Sequence, residues 1–202
     1  MGIAERRLRQ KDEVRSSILD TAWKIVREEG WQSLSIRKIA DAIEYSVPVI
    51  YDHFANKEAI LLEFGKQGFD LLARKMCDAK RSTDDPGKQI RAMADAYWNF
   101  AFRNKEYYQL MFGLGIASCE MNKCLPESIT FRELVMEPIS RLLEENKNNK
   151  PINSCLKYHT FWSVIHGLIS IKMTANTPEV ADELNKLVLD DAMEGFIKNL
   201  KG

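Results

Sequence analysis

The chain has 202 residues, enough to bury one large core or two small ones, and its 45% hydrophobic and 29% charged content is that of a folded globular protein. Its apolar runs are short and broken by charges, which excludes a transmembrane span. The polar stretch Met1–Gln10 lacks the apolar segment of a secretory signal, so a cytoplasmic location is expected. The 29 basic and 29 acidic residues cancel, so any contact with nucleic acid must come from a local basic face.

Almost every segment reads as helix. The first runs from about Lys11 to Glu29, with Val14, Ile18, Ala22 and Ile25 on one face and Gly30 as its C-cap. Ahead of it Arg6, Arg7, Arg9 and Lys11 form a basic segment, read equally well as a mobile tail or as an arm lying along DNA. Ser35 caps a short helix reaching about Ile43, with Ile36, Ile39, Ala40 and Ile43 apolar. A tight turn, Glu44-Tyr45, leads to Ser46, which caps a third helix with Pro48 in its first turn and an end near Phe54. Asn56 caps a long fourth helix to about Arg81.

Ser82 to Gly87 is a break, and Asp85-Pro86 signals a new start. Helices are expected at about 86–103, 105–114 and 127–146, the last kinked at Pro138, with 115–126 and 146–151 as loops. Two apolar-rich helices, about 153–174 and 178–199, finish the chain. The reading is an all-α protein of about nine helices. It divides into a three-helix helix-turn-helix domain, 1–62, and a helical ligand-binding and dimerisation domain, 63–202.

The cysteines, Cys77, Cys119, Cys124 and Cys155, form no C-x-x-C pair and no zinc-finger spacing with histidine, so reduced thiols and no metal are expected. Cys155 and His159 lie four apart on a helix, but two ligands do not make a site. A redox role for Cys119 and Cys124 would need low thiol pKa values, which a sequence does not show. Neither a phosphate-cradling glycine loop, a G-x-S-x-G nor an H-E-x-x-H occurs, so no enzymatic activity and no cofactor are expected.

Residues 35–57 carry the functional signal. Two short helices joined by a tight turn match a helix-turn-helix unit. Ile50 and Phe54 give the second helix a buried face. Val47, Pro48 and Val49 at its start suit contacts to thymine methyl groups in a major groove. Tyr51, His53 and Lys57 offer donors to phosphate oxygens, and Arg37 can reach a guanine edge with two hydrogen bonds. The rival reading is a helical small-molecule-binding protein or enzyme without DNA function.

At these residues the sequence resembles the tetracycline-repressor-like (TetR) regulators. The resemblance rests on Ser35-Ile36-Arg37-Lys38-Ile39-Ala40, Tyr45 to Phe54 and Asn56-Lys57-Glu58, and covers roughly 11–62. It implies a homodimer that binds a near-palindromic double-stranded DNA operator, by default as a repressor. The DNA-binding set so implied is Ser35, Arg37, Ser46, Val47, Pro48, Val49, Tyr51, His53 and Lys57. The family usually places Gly where this chain has Glu44. A left-handed Glu costs about 1 kcal/mol relative to Gly, so a different turn geometry is open here.

Further along, Trp162, His166 and Gly167 resemble the Trp-His-Gly signature of the WHG type of ligand-binding domain. A Gly beside that pair lets another helix approach closely. Trp98, Phe102, Tyr108, Met111, Phe112, Phe131, Tyr158, Trp162 and His166 are the expected lining of a pocket for a small apolar or aromatic effector. The last two helices, 153–174 and 178–199, are the implied homodimer interface.

Overall fold

The computed structural model describes residues 2–113, 125–146, 153–174 and 180–202. Among these, regular structure is helical throughout. The elements are α1 (Ile3–Glu29), a 3-10 turn (Trp31–Ser33), α2 (Ile36–Ala42), α3 (Val47–Tyr51), α4 (Lys57–Arg81), α5 (Pro86–Arg103), α6 (Lys105–Phe112), α7 (Leu125–Glu145), α8 (Ser154–Thr174) and α9 (Val180–Lys201). The all-α architecture is therefore the one the periodicity predicts. None of the described helices is long and apolar enough to cross a membrane. Cys119 and Cys124 lie outside the described residues.

Several boundaries differ from the sequence reading, three of them with a local physical reason or consequence. α1 begins at Ile3 rather than near Lys11, so the basic segment is helical and not a mobile tail. Its residues are good helix formers, and the Glu5 carboxylate accepts the Gly2 N–H at 2.9 Å, which ties off the first turn. α3 is shorter than expected, although the Phe54 N–H still reaches the Ile50 carbonyl at 2.9 Å. α7 starts at Leu125, not 127, because Pro126 in a first turn loses no hydrogen bond there. The helix then continues through Pro138.

The described residues form two compact units. One comprises residues up to Gln67 together with those from Glu106; the other comprises Gly68–Lys105 and the residues from α7 onward. The expected division at 62/63 follows the chain, whereas α6 is grouped in space with the N-terminal helices.

In the first unit α1 supplies Ile18, Ala22, Ile25 and Val26, at spacings that keep one face inward. They meet Ile39 and Ala40 of α2, Ile50 of α3, Phe54, Ile60 and Phe64 of α4, and Leu110 of α6. Aromatic rings close one side. Trp23 stacks on Tyr107 at 4.3 Å and lies 5.3 Å from Phe64, with Trp31 edge-on to both Trp23 and Phe64. The Tyr107 hydroxyl donates to Gln67 Oε1 at 3.2 Å.

In the second unit α5 is the central helix. Ile90, Met93, Tyr97 and Phe100 recur every three or four residues and are buried with Val135, Ile139 and Leu142 of α7, Phe161, Ile165 and Ile169 of α8, and Leu189 and Met193 of α9. Asp85 caps α5 by accepting the Lys88 N–H at 2.7 Å, and Pro86 follows it as the sequence predicts. Buried Gln89 donates to the carbonyls of Lys80 and Thr83, which fixes the turn out of α4.

Candidate nucleic-acid interface

α2 and α3 are held from beneath and left open above. Ile39, Ala40, Ile50 and Phe54 are buried, while Arg37, Ser46, Pro48 and Tyr51 are exposed. Burying a side chain such as Ile50 is worth about 1.5–3 kcal/mol, so the exposed residues ride on a firmly seated pair of helices. Ser35 caps α2 by accepting the Lys38 N–H at 3.2 Å, whereas the Ser46 hydroxyl makes no such cap on α3.

The turn between them settles the geometry at Glu44. Its φ is +58°, the only positive value at a non-glycine among the described residues. The left-handed turn is kept, with Glu in the place that favours Gly. The Tyr45 N–H reaches back to the Ala40 carbonyl at 3.0 Å, a bond that spans the end of α2 and satisfies one of its last acceptors.

The expected DNA-facing residues divide into two groups. Arg37, Ser46, Pro48 and Tyr51 are open to solvent; Ser35, Val47, Val49, His53 and Lys57 are half-buried. Val47 packs partly against the core of the unit, so part of its apolar surface is already spent there. Tyr51 is 52% exposed and Tyr45 46%, large rings left in water beside an apolar helix start. Tyr45 was not among the expected contacts, although it stands inside the run that carries the family likeness.

Arg15 of α1 is a residue that no local sequence pattern marks. One guanidinium nitrogen donates to the His53 carbonyl at 3.3 Å, and another pairs with Glu63 of α4 at 2.9 Å. Its Cζ also lies 4.2 Å from the centroid of the Phe54 ring. Arg15 therefore pins the chain leaving α3 to α1 and α4. Its partners lie 38 and 48 residues away, so no local pattern could reveal them.

The residues expected to line a ligand pocket do not all belong to one unit. Tyr108, Met111 and Phe112 belong to the first, with Tyr108 and Phe112 4.7 Å apart. Trp98, Phe102, Phe131, Tyr158, Trp162 and His166 belong to the second. There Trp98 and Phe102 pack at 4.8 Å beneath the Lys172 ammonium, which lies 4.3 Å from the Phe102 ring and 5.2 Å from Trp98. Phe131 stands edge-on to Tyr158 at 6.4 Å, and the Arg132 guanidinium lies 5.9 Å from the Tyr158 ring. Burial raises the Tyr158 hydroxyl above its ordinary pKa, with Arg132 opposing. Arg132 also donates to Cys155 Sγ at 3.6 Å, the cysteine considered above as a metal ligand. Trp162 and His166 stack at 4.7 Å with their planes 8° apart, and burial lowers the His166 pKa. Lys172 and Arg132 were not expected here. Lys172 was visible in the sequence as a cation set within the apolar run Ile169–Met173.

A seated pair of short helices with open reading residues, in a chain that is otherwise helical, defines a helix-turn-helix DNA-binding regulator. The chain matches bacterial regulatory proteins of the tetR family over residues 18–70, and the tetracyclin repressor-like C-terminal domain over residues 90–192. It belongs to the TetR family of transcriptional regulators.

Among curated relatives it is 29% identical to the HTH-type transcriptional activator FasR of Mycolicibacterium smegmatis over 102 residues, which is 50% of this chain and 47% of that protein. The match thus spans about half of FasR's length. Solved structures share the fold over nearly the whole chain. The TetR family regulator PfmR from Thermus thermophilus has a TM-score of 0.64 at 20% identity, covering 88% of this chain and 97% of its own. AibR, solved with isovaleryl coenzyme A and operator DNA, has a TM-score of 0.60 at 16% identity, covering 91% and 95%.

Proposed function

We propose that the protein is a homodimeric repressor that binds a near-palindromic operator and is released by a small apolar or aromatic effector. The observation that carries this reading is the exposure of Arg37, Pro48 and Tyr51 on helices whose other faces are buried. Arg37 reads a guanine edge, the start of α3 meets thymine methyl groups, and Tyr51, His53 and Lys57 hold phosphates. Two such units sit in successive major grooves, about 34–36 Å apart.

Support for the dimer comes from α8 and α9. Leu156, Val164 and Ile171 on α8, and Leu184, Leu187 and Val188 on α9, are exposed. Gly167 continues the α8 stripe at helical spacing and Gly195 continues that of α9. A Cβ on either would meet nothing within 4 Å. The close approach expected at Gly167 therefore has no partner within the described chain, and a second copy supplies one. The effector reading is supported by the aromatic groups of the second unit and by the Trp162–His166 stack. AibR, of the same fold, has been solved with both a small molecule and DNA. Ligand and operator then weaken each other by the same factor. α4, whose residues are shared by the two units, is the candidate lever.

The test is an anisotropy titration against DNA flanking the protein's own gene, at several salt concentrations, with random DNA as competitor. Preference for one fragment and a steep salt dependence are expected; absence of both refutes the reading. Arg37→Ala should cost about 1–3 kcal/mol on that fragment and relax preference at one base pair. A second reading, activation, is favoured by the name of FasR. A promoter fusion separates the two, since deletion of a repressor raises expression and deletion of an activator lowers it.

A further inference from the structure

We infer that the first turns of α1 and the chain just after α3 together form a cleft that takes a phosphate of the DNA backbone. This rests on the DNA-binding reading above and adds a contact outside the helix-turn-helix.

α1 is longer than the core beneath it needs. Val14 is the first of its residues to pack on that core, and about 16 Å of helix precede it. So short a polar helical overhang is marginal alone in water and gains from a partner. Its inner face continues the buried stripe backwards: Arg7, Gln10, Lys11 and Val14 follow the spacing of Ile18 and Ala22. Polar groups thus occupy the face that is apolar further along.

That face is not empty surface. Arg7, Gln10, Lys11 and Val14 form one wall of a cleft of about 490 Å³, and Asp52 and His53 form the other. The second wall follows directly on α3, so the cleft lies beside the reading helix. Its charged lining is two cations against one carboxylate. No ion pair between them occurs among the described residues, and the Nδ1 of His53 is buried without a hydrogen-bond partner. The same turns also carry Arg6 and Arg9, set against Glu5, Asp12 and Glu13, so the positive excess is local to the cleft face. A site with excess cations, a wide mouth and a neighbouring groove-reading helix suits a backbone phosphate, which is held by charge and carries no sequence information.

The experiment is the salt dependence of binding for Arg7→Ala/Lys11→Ala and for Gln10→Lys, read by anisotropy on the preferred fragment and on random DNA from 50 to 200 mM salt. Both variants change exposed residues outside the core, and circular dichroism checks their fold. The double variant should weaken binding to both DNAs by the same factor and make the slope of log K against log salt shallower by roughly 1 per protomer. Gln10→Lys should make the slope steeper on both. Unchanged slopes in both variants overturn the inference while leaving the helix-turn-helix reading intact. A loss confined to the preferred fragment overturns it as well, because the overhang would then read bases. A wild-type protein with neither salt dependence nor preference sinks both readings together.

Discussion

The indole Nε1 of Trp31 donates to the backbone carbonyl of Glu106 at 2.9 Å, across 75 residues of sequence. Trp31 follows α1 and Glu106 opens α6, so this one bond ties the start of α6 to the DNA-reading unit. Trp31→Phe keeps the ring packing against Trp23 and Phe64 and deletes only the donor. The Glu106 carbonyl keeps its place in the α6 hydrogen-bond ladder, so the variant should lower stability by about 0.5–1.5 kcal/mol, the net worth of one hydrogen bond. Urea unfolding measures this, and a change below about 0.3 kcal/mol would show that water replaces the indole without penalty.

Glu44 offers the opposite effect. A left-handed backbone at a residue with a Cβ costs about 1 kcal/mol, and Glu44→Gly removes that cost without touching a buried group. The melting temperature should rise by about 2–4 °C for a chain of this size. Glu44→Val, branched at Cβ, should lower it. A fall for the glycine variant would mean that the greater freedom of Gly in the unfolded chain outweighs the strain relieved.

Gly167 and Gly195 test the assembly rather than the fold. A Gly inside a helix costs about 1 kcal/mol relative to Ala, and neither position returns that cost within the described chain. Gly167→Leu should leave the helical circular dichroism intact and yield monomers by sedimentation velocity. Gly167→Ala should raise the thermal stability of the subunit. A dimer that survives Gly167→Leu unchanged would place the interface elsewhere.

His166 predicts the acid limb of stability. Burial lowers its pKa below the ordinary value of about 6.5, so the unfolded chain takes up the proton first as pH falls. The stability linked to its neutral form is complete above that ordinary value and is lost as pH falls through the lowered one. Melting temperatures measured from pH 7.5 down to pH 5 should therefore decline more for the native chain than for His166→Gln. Parallel curves would show that His166 is not the group responsible.

Much of this was legible in the sequence because it is local. Ile18, Ala22 and Ile25 announce the buried face of α1 by spacing alone, and Ser35, Asn56 and Asp85 announce helix starts. All three accept backbone N–H groups as expected, Asn56 from Ala59 at 2.8 Å. The start of α1 was not legible, because residues 3–11 hold no apolar stripe and only the Glu5–Gly2 bond marks the end. Val47 reads as a free apolar contact, yet it packs partly against the core of the first unit, an arrangement that local spacing does not encode. Arg15 was silent because its partners come from distant segments. The expected pocket residues share a chemistry, and chemistry alone does not tell which compact unit an aromatic side chain serves.

The placement of α6 bears on how the DNA-reading part could be moved between proteins. The boundary that the sequence suggests, and the region matched to the tetR family at 18–70, both stop before α6. Yet Tyr107 covers Trp23, the Glu106 carbonyl holds Trp31, and Leu110 fills the same core. A fragment cut at residue 62 would expose the Trp23 face and orphan an indole donor. A specificity-swapped chimaera built on that cut would carry the same defect wherever this chain's N-terminal helices are used. The transferable cassette is two stretches of chain, the N-terminal helices and α6, and a regulator engineered from this protein must exchange them as a pair.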